Sequence, residues 1–133
     1  ASLQAVTQDN MAFLKRQNFS FPPDHGARLV TMILGDDSLR STWATELEQT
    51  RLGMLGLRQH LSDELRQRTN SDRFDFLATH RGMFSRLGVS AEAVETIRTD
   101  FGIYMIGDSR INIAGLNAQT VPILANALAQ ITK

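Results

Sequence analysis

Cysteine is absent from the 133 residues, which excludes disulfides, thiolate catalysis and cysteine-ligated metal sites. An excess of either charge is missing too, since 14 basic and 14 acidic residues cancel. Surfaces built for nucleic acid or membrane select for a basic excess, so neither is expected as the main partner. No apolar run approaches the length of a membrane span, and no basic-then-apolar leader opens the chain, so a cytoplasmic protein is expected. Histidine is sparse, and His25, His60 and His80 lack the i,i+4 spacing of a metal-binding helix. They read as surface or capping residues. Lysine is scarcer still. Lys15 lies between Leu14 and Arg16 at a helix end, and Lys133 closes the chain. Neither position suggests the desolvated pocket that activates a lysine for Schiff-base chemistry. The carboxylates, Asp36-Asp37 and Asp63-Glu64 among them, fall on capping or solvated helix positions, with no pair set up for acid–base work.

What is present suffices for one compact domain over residues 1–133, given a hydrophobic content of 42%. Ser2 is placed to cap a helix over residues 3–16, and Pro22-Pro23 then ends any helix and pushes Phe21 toward an extended backbone. A short helix is expected from Asp24 to Leu34, stopped by Gly35, with Asp36 or Asp37 capping the next. From Ser38 to Arg68, apolar residues from Leu39 and Trp43 to Leu61 and Leu65 recur at spacings of three and four. They draw one stripe down a helix of roughly 45 Å. Arg40, Arg51 and Arg58 fall off that stripe and are expected on the solvated side. Such a helix either ties two parts of a molecule together or belongs to an ordinary bundle.

The second half changes character. Residues 74–78 read as a strand, with residues 82–85 as its hairpin partner. Ser90 and Gly102 bracket a helix. Residues 103–106 and 110–113 read as strands joined by Gly107-Asp108-Ser109. Asn117 caps a last helix on which Val121, Leu124, Leu128 and Ile131 face one way. The class is α+β: a small antiparallel or mixed sheet packed with helices.

Arg110 is the first candidate for chemistry. Alternation along a strand places Arg110 and Asn112 on one face, with Ile111 and Ile113 on the other. A guanidinium directly after a tight turn, beside an amide, can grip a carboxylate through two parallel hydrogen bonds. The alternative is a solvated arginine at a strand edge. Arg16, at the end of the first helix, is either a functional cation or one favourably placed at the negative end of the helix dipole. Phe84 reads first as a core residue.

Three stretches, in order, resemble the fold-type I aminotransferases of the aspartate and aromatic group. They are Arg16 with Asn18-Phe19-Ser20, Pro22-Pro23 and His25-Gly26-Ala27; then Arg81-Gly82-Met83-Phe84-Ser85; then Ile103-Tyr104 with Ser109-Arg110-Ile111-Asn112-Ile113-Ala114-Gly115-Leu116. The resemblance covers essentially the whole chain. It implies the C-terminal small domain of a pyridoxal-phosphate enzyme that exchanges an amino group between an aromatic or dicarboxylic amino acid and a 2-oxo acid. By the same resemblance, Arg110 binds the substrate α-carboxylate and Phe84 stands beside the pocket. Arg16, with Ser20 close by, reaches the neighbouring subunit's site in a homodimer and pairs with a substrate side-chain carboxylate. The long helix then links the small domain to a large one, and the small domain closes over substrate. The family's cofactor-binding groups, including the Schiff-base lysine, lie upstream and have no counterpart here. The chain alone is therefore expected to be inactive, without covalently bound cofactor.

The resemblance is not uniform. Phe21 stands where the family usually has a small polar residue, which favours aromatic or broader specificity over strict dicarboxylate preference. Arg86-Leu87 replaces an aromatic-threonine pair, and Gly107-Asp108-Ser109 replaces the more usual alanine-serine-glycine. The absent lysine also admits a different class of function, a non-catalytic binding domain that keeps the aminotransferase shape.

Overall fold

The computed structural model describes residues 2–20 and 24–132. The expected break at Phe21-Pro22-Pro23 and the terminal Lys133 lie outside the described residues. Two compact units are present, one ending at Glu46 and the other starting at Leu47.

The first unit is helical. Helix α1 spans Leu3–Phe19, with the Ser2 hydroxyl accepting from the Ala5 N–H, and runs three residues past the expected end. It stops where Ser20 turns to a φ of 54° and its N–H bonds to the Arg16 carbonyl. Helix α2 spans Asp24–Gly35 and includes the glycine expected to stop it. An Asp24–Arg28 ion pair of 2.6 Å joins its first two turns. Of the two candidate caps that follow, Asp36 takes the role, its carboxylate accepting from the Leu39 N–H at 2.9 Å. Helix α3 begins beside it and spans Asp37–Thr69.

The predicted apolar stripe of α3 is only partly used. Leu61 and Leu65 are fully buried, whereas Leu39, Trp43 and Leu47 stay about half exposed. In the second unit, the core gathers Leu61, Leu65, Phe74, Leu77, Ile97, Ile111, Ile113, Val121, Leu124 and Leu128. At about 25 cal/mol per Å² of buried apolar surface, each large residue in that set stabilises the unit by roughly 1.5–3 kcal/mol.

Residues 74–78 do not form a strand. They make turns leading into a short helix, α4, Phe76–Thr79. Phe74 and Leu77, three apart, are both buried, so helical spacing rather than alternation satisfies the core here. With that partner gone, β1 (Phe84–Arg86) pairs antiparallel with β2 (Arg110–Asn112) instead. Helix α5 (Ala91–Phe101) carries both expected caps: Ser90 Oγ accepts from the Ala93 N–H, and Gly102 adopts a left-handed φ of 65°. Residues 103–106 have the composition of a strand but make only one isolated bridge, Ile106 to Arg110. The described sheet is thus two-stranded, smaller than expected. Asn112 ends β2 by accepting from the Ala114 N–H, which starts a 3-10 turn at Ile113 rather than another strand residue. Helix α6, Thr120–Ile131, begins under the Asn117 carboxamide, which accepts from the N–H groups of Gln119 and Thr120 at 2.9 Å each. Its core face is wider than four residues, since Ala125, Ala127 and Ala129 are buried with Val121, Leu124 and Leu128. Among the described residues, no helix is long and apolar enough to cross a membrane.

A candidate carboxylate-binding site

Strand alternation sorts the β1–β2 ladder into two faces. Ser85 and Ile111 point into the core, whereas Phe84, Arg86, Arg110 and Asn112 are exposed. The register sets Phe84 opposite Asn112 and Arg86 opposite Arg110. Two like charges directly opposite each other repel. Asp108 offsets this pair from the turn. Its carbonyl oxygen accepts from Arg86 Nε at 2.9 Å, and its carboxylate lies 3.9 Å from Arg110 Nε. The same carboxylate also accepts from the Arg110 backbone N–H at 3.1 Å.

Arg110 is held but not consumed by these contacts. Its guanidinium carbon stands 5.8 Å from the centre of the Phe84 ring, within reach of cation–π attraction. Nearly half of its side chain, 47%, remains open to solvent. Both residues line a hollow of about 520 Å³ with Asn112, Tyr104, Ile106 and Leu116. The volume lies in the range of small-molecule sites, which are mostly apolar with a few placed polar groups. Asn112 has its Oδ1 committed to the Ala114 N–H, leaving its NH2 group as the donor at the hollow. A guanidinium fork above an aromatic ring, at the edge of an apolar hollow, suits a ligand with a carboxylate on an apolar body.

The residue before the arginine is unusual. Ser109 has a φ of 65°, the left-handed region that favours glycine, and is almost completely buried. Three bonds hold it there. Its N–H donates to the Ile106 carbonyl, its carbonyl accepts from the Leu87 N–H, and its hydroxyl accepts from the Gly88 N–H.

Arg110, Phe84 and Asn112 are therefore brought together in the second unit. Arg16 and Ser20 lie in the first, both exposed, in the last turn and at the C-terminal cap of α1. Phe21 lies outside the described residues. Lys15 is exposed on α1. Among the described residues, no cluster could hold a metal ion.

Two residues escaped the sequence reading. Tyr104, read only as a strand and motif residue, lines the hollow and is 83% exposed. Arg58, expected on the solvated side of α3, is fully buried. The signal for it was present: Met54, Arg58, Leu61 and Leu65 follow spacings of four, three and four, so Arg58 sits on the buried line itself.

The sequence profile of the family Aminotransferase class I and II matches residues 2–128. The chain belongs to that family. It is 56% identical over 131 residues to the aromatic-amino-acid aminotransferase of Paracoccus denitrificans, covering 98% of this chain and 33% of that protein. It is 35% identical over 116 residues to the aspartate aminotransferase of Pseudomonas aeruginosa, covering 87% of this chain and 29% of that protein. Among solved structures, it superposes with a TM-score of 0.89 on the aromatic-amino-acid aminotransferase of Burkholderia pseudomallei covalently bound to pyridoxal phosphate. That pair is 34% identical, with 97% of this chain and 32% of the other covered. The chain spans about a third of the length of the curated relatives it matches. Its long helix and small antiparallel sheet are features of the aminotransferase fold.

Proposed function

We propose that the protein carrying this chain is a pyridoxal-phosphate-dependent aminotransferase, and that these 133 residues are its small C-terminal domain. It transfers an amino group between an amino acid, aromatic or dicarboxylic, and a 2-oxo acid. Arg110 receives the substrate carboxylate. The observation that carries this reading is the half-exposed guanidinium stacked against Phe84 at an apolar hollow. Membership of the aminotransferase family supports it.

This chain's part is recognition and water exclusion. A substrate carboxylate arriving at Arg110 replaces the weak 3.9 Å contact with Asp108 by two charge-assisted hydrogen bonds. Phe84 presents its ring to the arginine and bounds the hollow, and the Asn112 NH2 group offers one more donor. We place the cofactor's binding groups in sequence upstream, where pyridoxal phosphate would supply the electron sink for amino-group transfer. We place Arg16 and Ser20 at the partner subunit's site in a homodimer, where Arg16 pairs with a side-chain carboxylate of a dicarboxylic substrate. The protein is taken to be cytoplasmic.

Replacing Arg110 by Ala in the enzyme that carries this segment tests the reading. The loss of carboxylate recognition should be about 2–5 kcal/mol. In kcat/KM that is a factor of roughly thirty to a few thousand. Kinetics unchanged within threefold would refute the role. The exposed setting of Lys15 favours one further reading, a binding domain without catalysis. An upstream region with no cofactor lysine would support that reading.

A further inference from the structure

We propose that Arg58 is a positioning residue for the carboxylate site: its buried guanidinium pins the Gly82–Ser85 segment and so sets where Phe84 stands against Arg110. This rests on the reading that Arg110 receives the substrate.

Arg58 is fully buried in α3, and among the described residues no carboxylate pairs with it. Its charge is met by neutral oxygens alone. Nη1 donates to Ser85 Oγ at 2.7 Å and to the Leu77 carbonyl at 3.3 Å. Nη2 donates to the carbonyls of Gly82 at 2.8 Å and Phe84 at 3.1 Å. Burial, with the Arg81 charge adding to it, pulls its pKa below the ordinary arginine value. Arginine nonetheless stays protonated in proteins, so a desolvated cation is kept here. A well-packed apolar side chain often serves stability as well as a buried ion, so folding alone is a weak reason to keep one.

The acceptors show what the cation organises. Gly82, at a φ of 83°, and Phe84 are two residues apart, and one flat guanidinium ties both carbonyls together at the entry to β1. The strand then alternates. Ser85 points inward to Arg58, while the Phe84 ring points outward to Arg110. His80 adds a second contact to Ser85, its Nδ1 lying 3.3 Å from the hydroxyl, and its ring packs 4.9 Å from that of Phe76. A short strand of three residues has few ladder bonds to hold its own register, and the fork supplies what the ladder lacks. Lysine carries the same charge on a single nitrogen with three donors and cannot meet four acceptors divided between the two terminal nitrogens of a guanidinium.

The test uses Arg58→Lys in the enzyme that carries this segment, with Ser85→Ala as a milder variant that removes one of the four acceptors. Arg58→Lys should raise KM for the amino acid about tenfold and Ser85→Ala about threefold, with kcat changed less than about twofold in each. Combined with Phe84→Leu, Arg58→Lys should add little further, because both changes act on one ring. In the 133-residue chain, the Ile113 amide, bonded to the Met83 carbonyl, should exchange its hydrogen faster in Arg58→Lys, while α5 amides do not change. A KM within twofold of the parent for both variants, or full additivity with Phe84→Leu, overturns the proposal. So does a loss of folded protein with KM unchanged, since that assigns Arg58 to stability alone. Arg110→Ala run beside them separates the two readings. If it loses carboxylate recognition while Arg58→Lys does not, only the positioning role falls. If it loses nothing, the substrate site itself has been misread.

Discussion

Replacing Ser109 in two ways separates backbone strain from hydrogen bonding at the turn that delivers Arg110. At a φ of 65°, a residue with a Cβ costs about 1–2 kcal/mol relative to its ordinary conformations, a cost glycine does not carry. Against that, the Ser109 hydroxyl accepts from the Gly88 N–H at 3.0 Å, a bond contributing about 0.5–1.5 kcal/mol. Ser109→Ala keeps the strain and loses the bond, so it should destabilise the chain by about 0.5–1.5 kcal/mol. Ser109→Gly loses the same bond but relieves the strain, with about 0.5–1 kcal/mol returned as the greater entropy of the unfolded chain. Its net effect should lie between about 1 kcal/mol stabilising and about 1.5 kcal/mol destabilising, and it should be more stable than the alanine variant by up to about 1.5 kcal/mol. Urea denaturation followed by circular dichroism at 222 nm, a standard helix wavelength, reads both midpoints at about constant m-value. The glycine proving less stable than the alanine would refute the argument, because it would mean that the left-handed backbone at Ser109 costs less than the added entropy of the unfolded chain.

Two further outcomes test the scaffold. Leu61→Ala removes a fully buried side chain from the core of the second unit and should cost about 2–5 kcal/mol in a urea titration, depending on how far the site collapses. A cost below about 1 kcal/mol would mean the core around α3 is not packed as described. Asn117→Ala strips the first turn of α6 of a cap that two N–H groups share and should cost about 1 kcal/mol, with faster hydrogen exchange at Gln119 and Thr120 than elsewhere in that helix.

The local elements were legible because their causes are local. Ser90 and Gly102 bracket α5, and Asn117 starts α6, through bonds that reach only two to five residues along the chain. The outward pair Arg110 and Asn112 followed from strand alternation, which needs no partner to be read. The aminotransferase motifs added what those rules do not reach, the expectation that the outward arginine receives a carboxylate.

Pairing and burial depend on groups far apart in sequence, and there the tertiary structure decided. Residues 74–78 have strand composition, yet the core needed Phe74 and Leu77 on one side, and a turn with a short helix supplies that spacing. Residues 103–106 are as apolar as a strand requires but meet only one bridging partner. β1 therefore pairs with β2 across the length of α5, a register that no local signal specifies. Arg58 is the clearest case. An arginine on a long helix is ordinarily solvated, and only the carbonyls of Leu77, Gly82 and Phe84 and the hydroxyl of Ser85, gathered by the fold, make its burial affordable. A sequence shows where a charge sits along a helix, but whether enough oxygens will surround it is settled by segments that arrive from elsewhere in the chain.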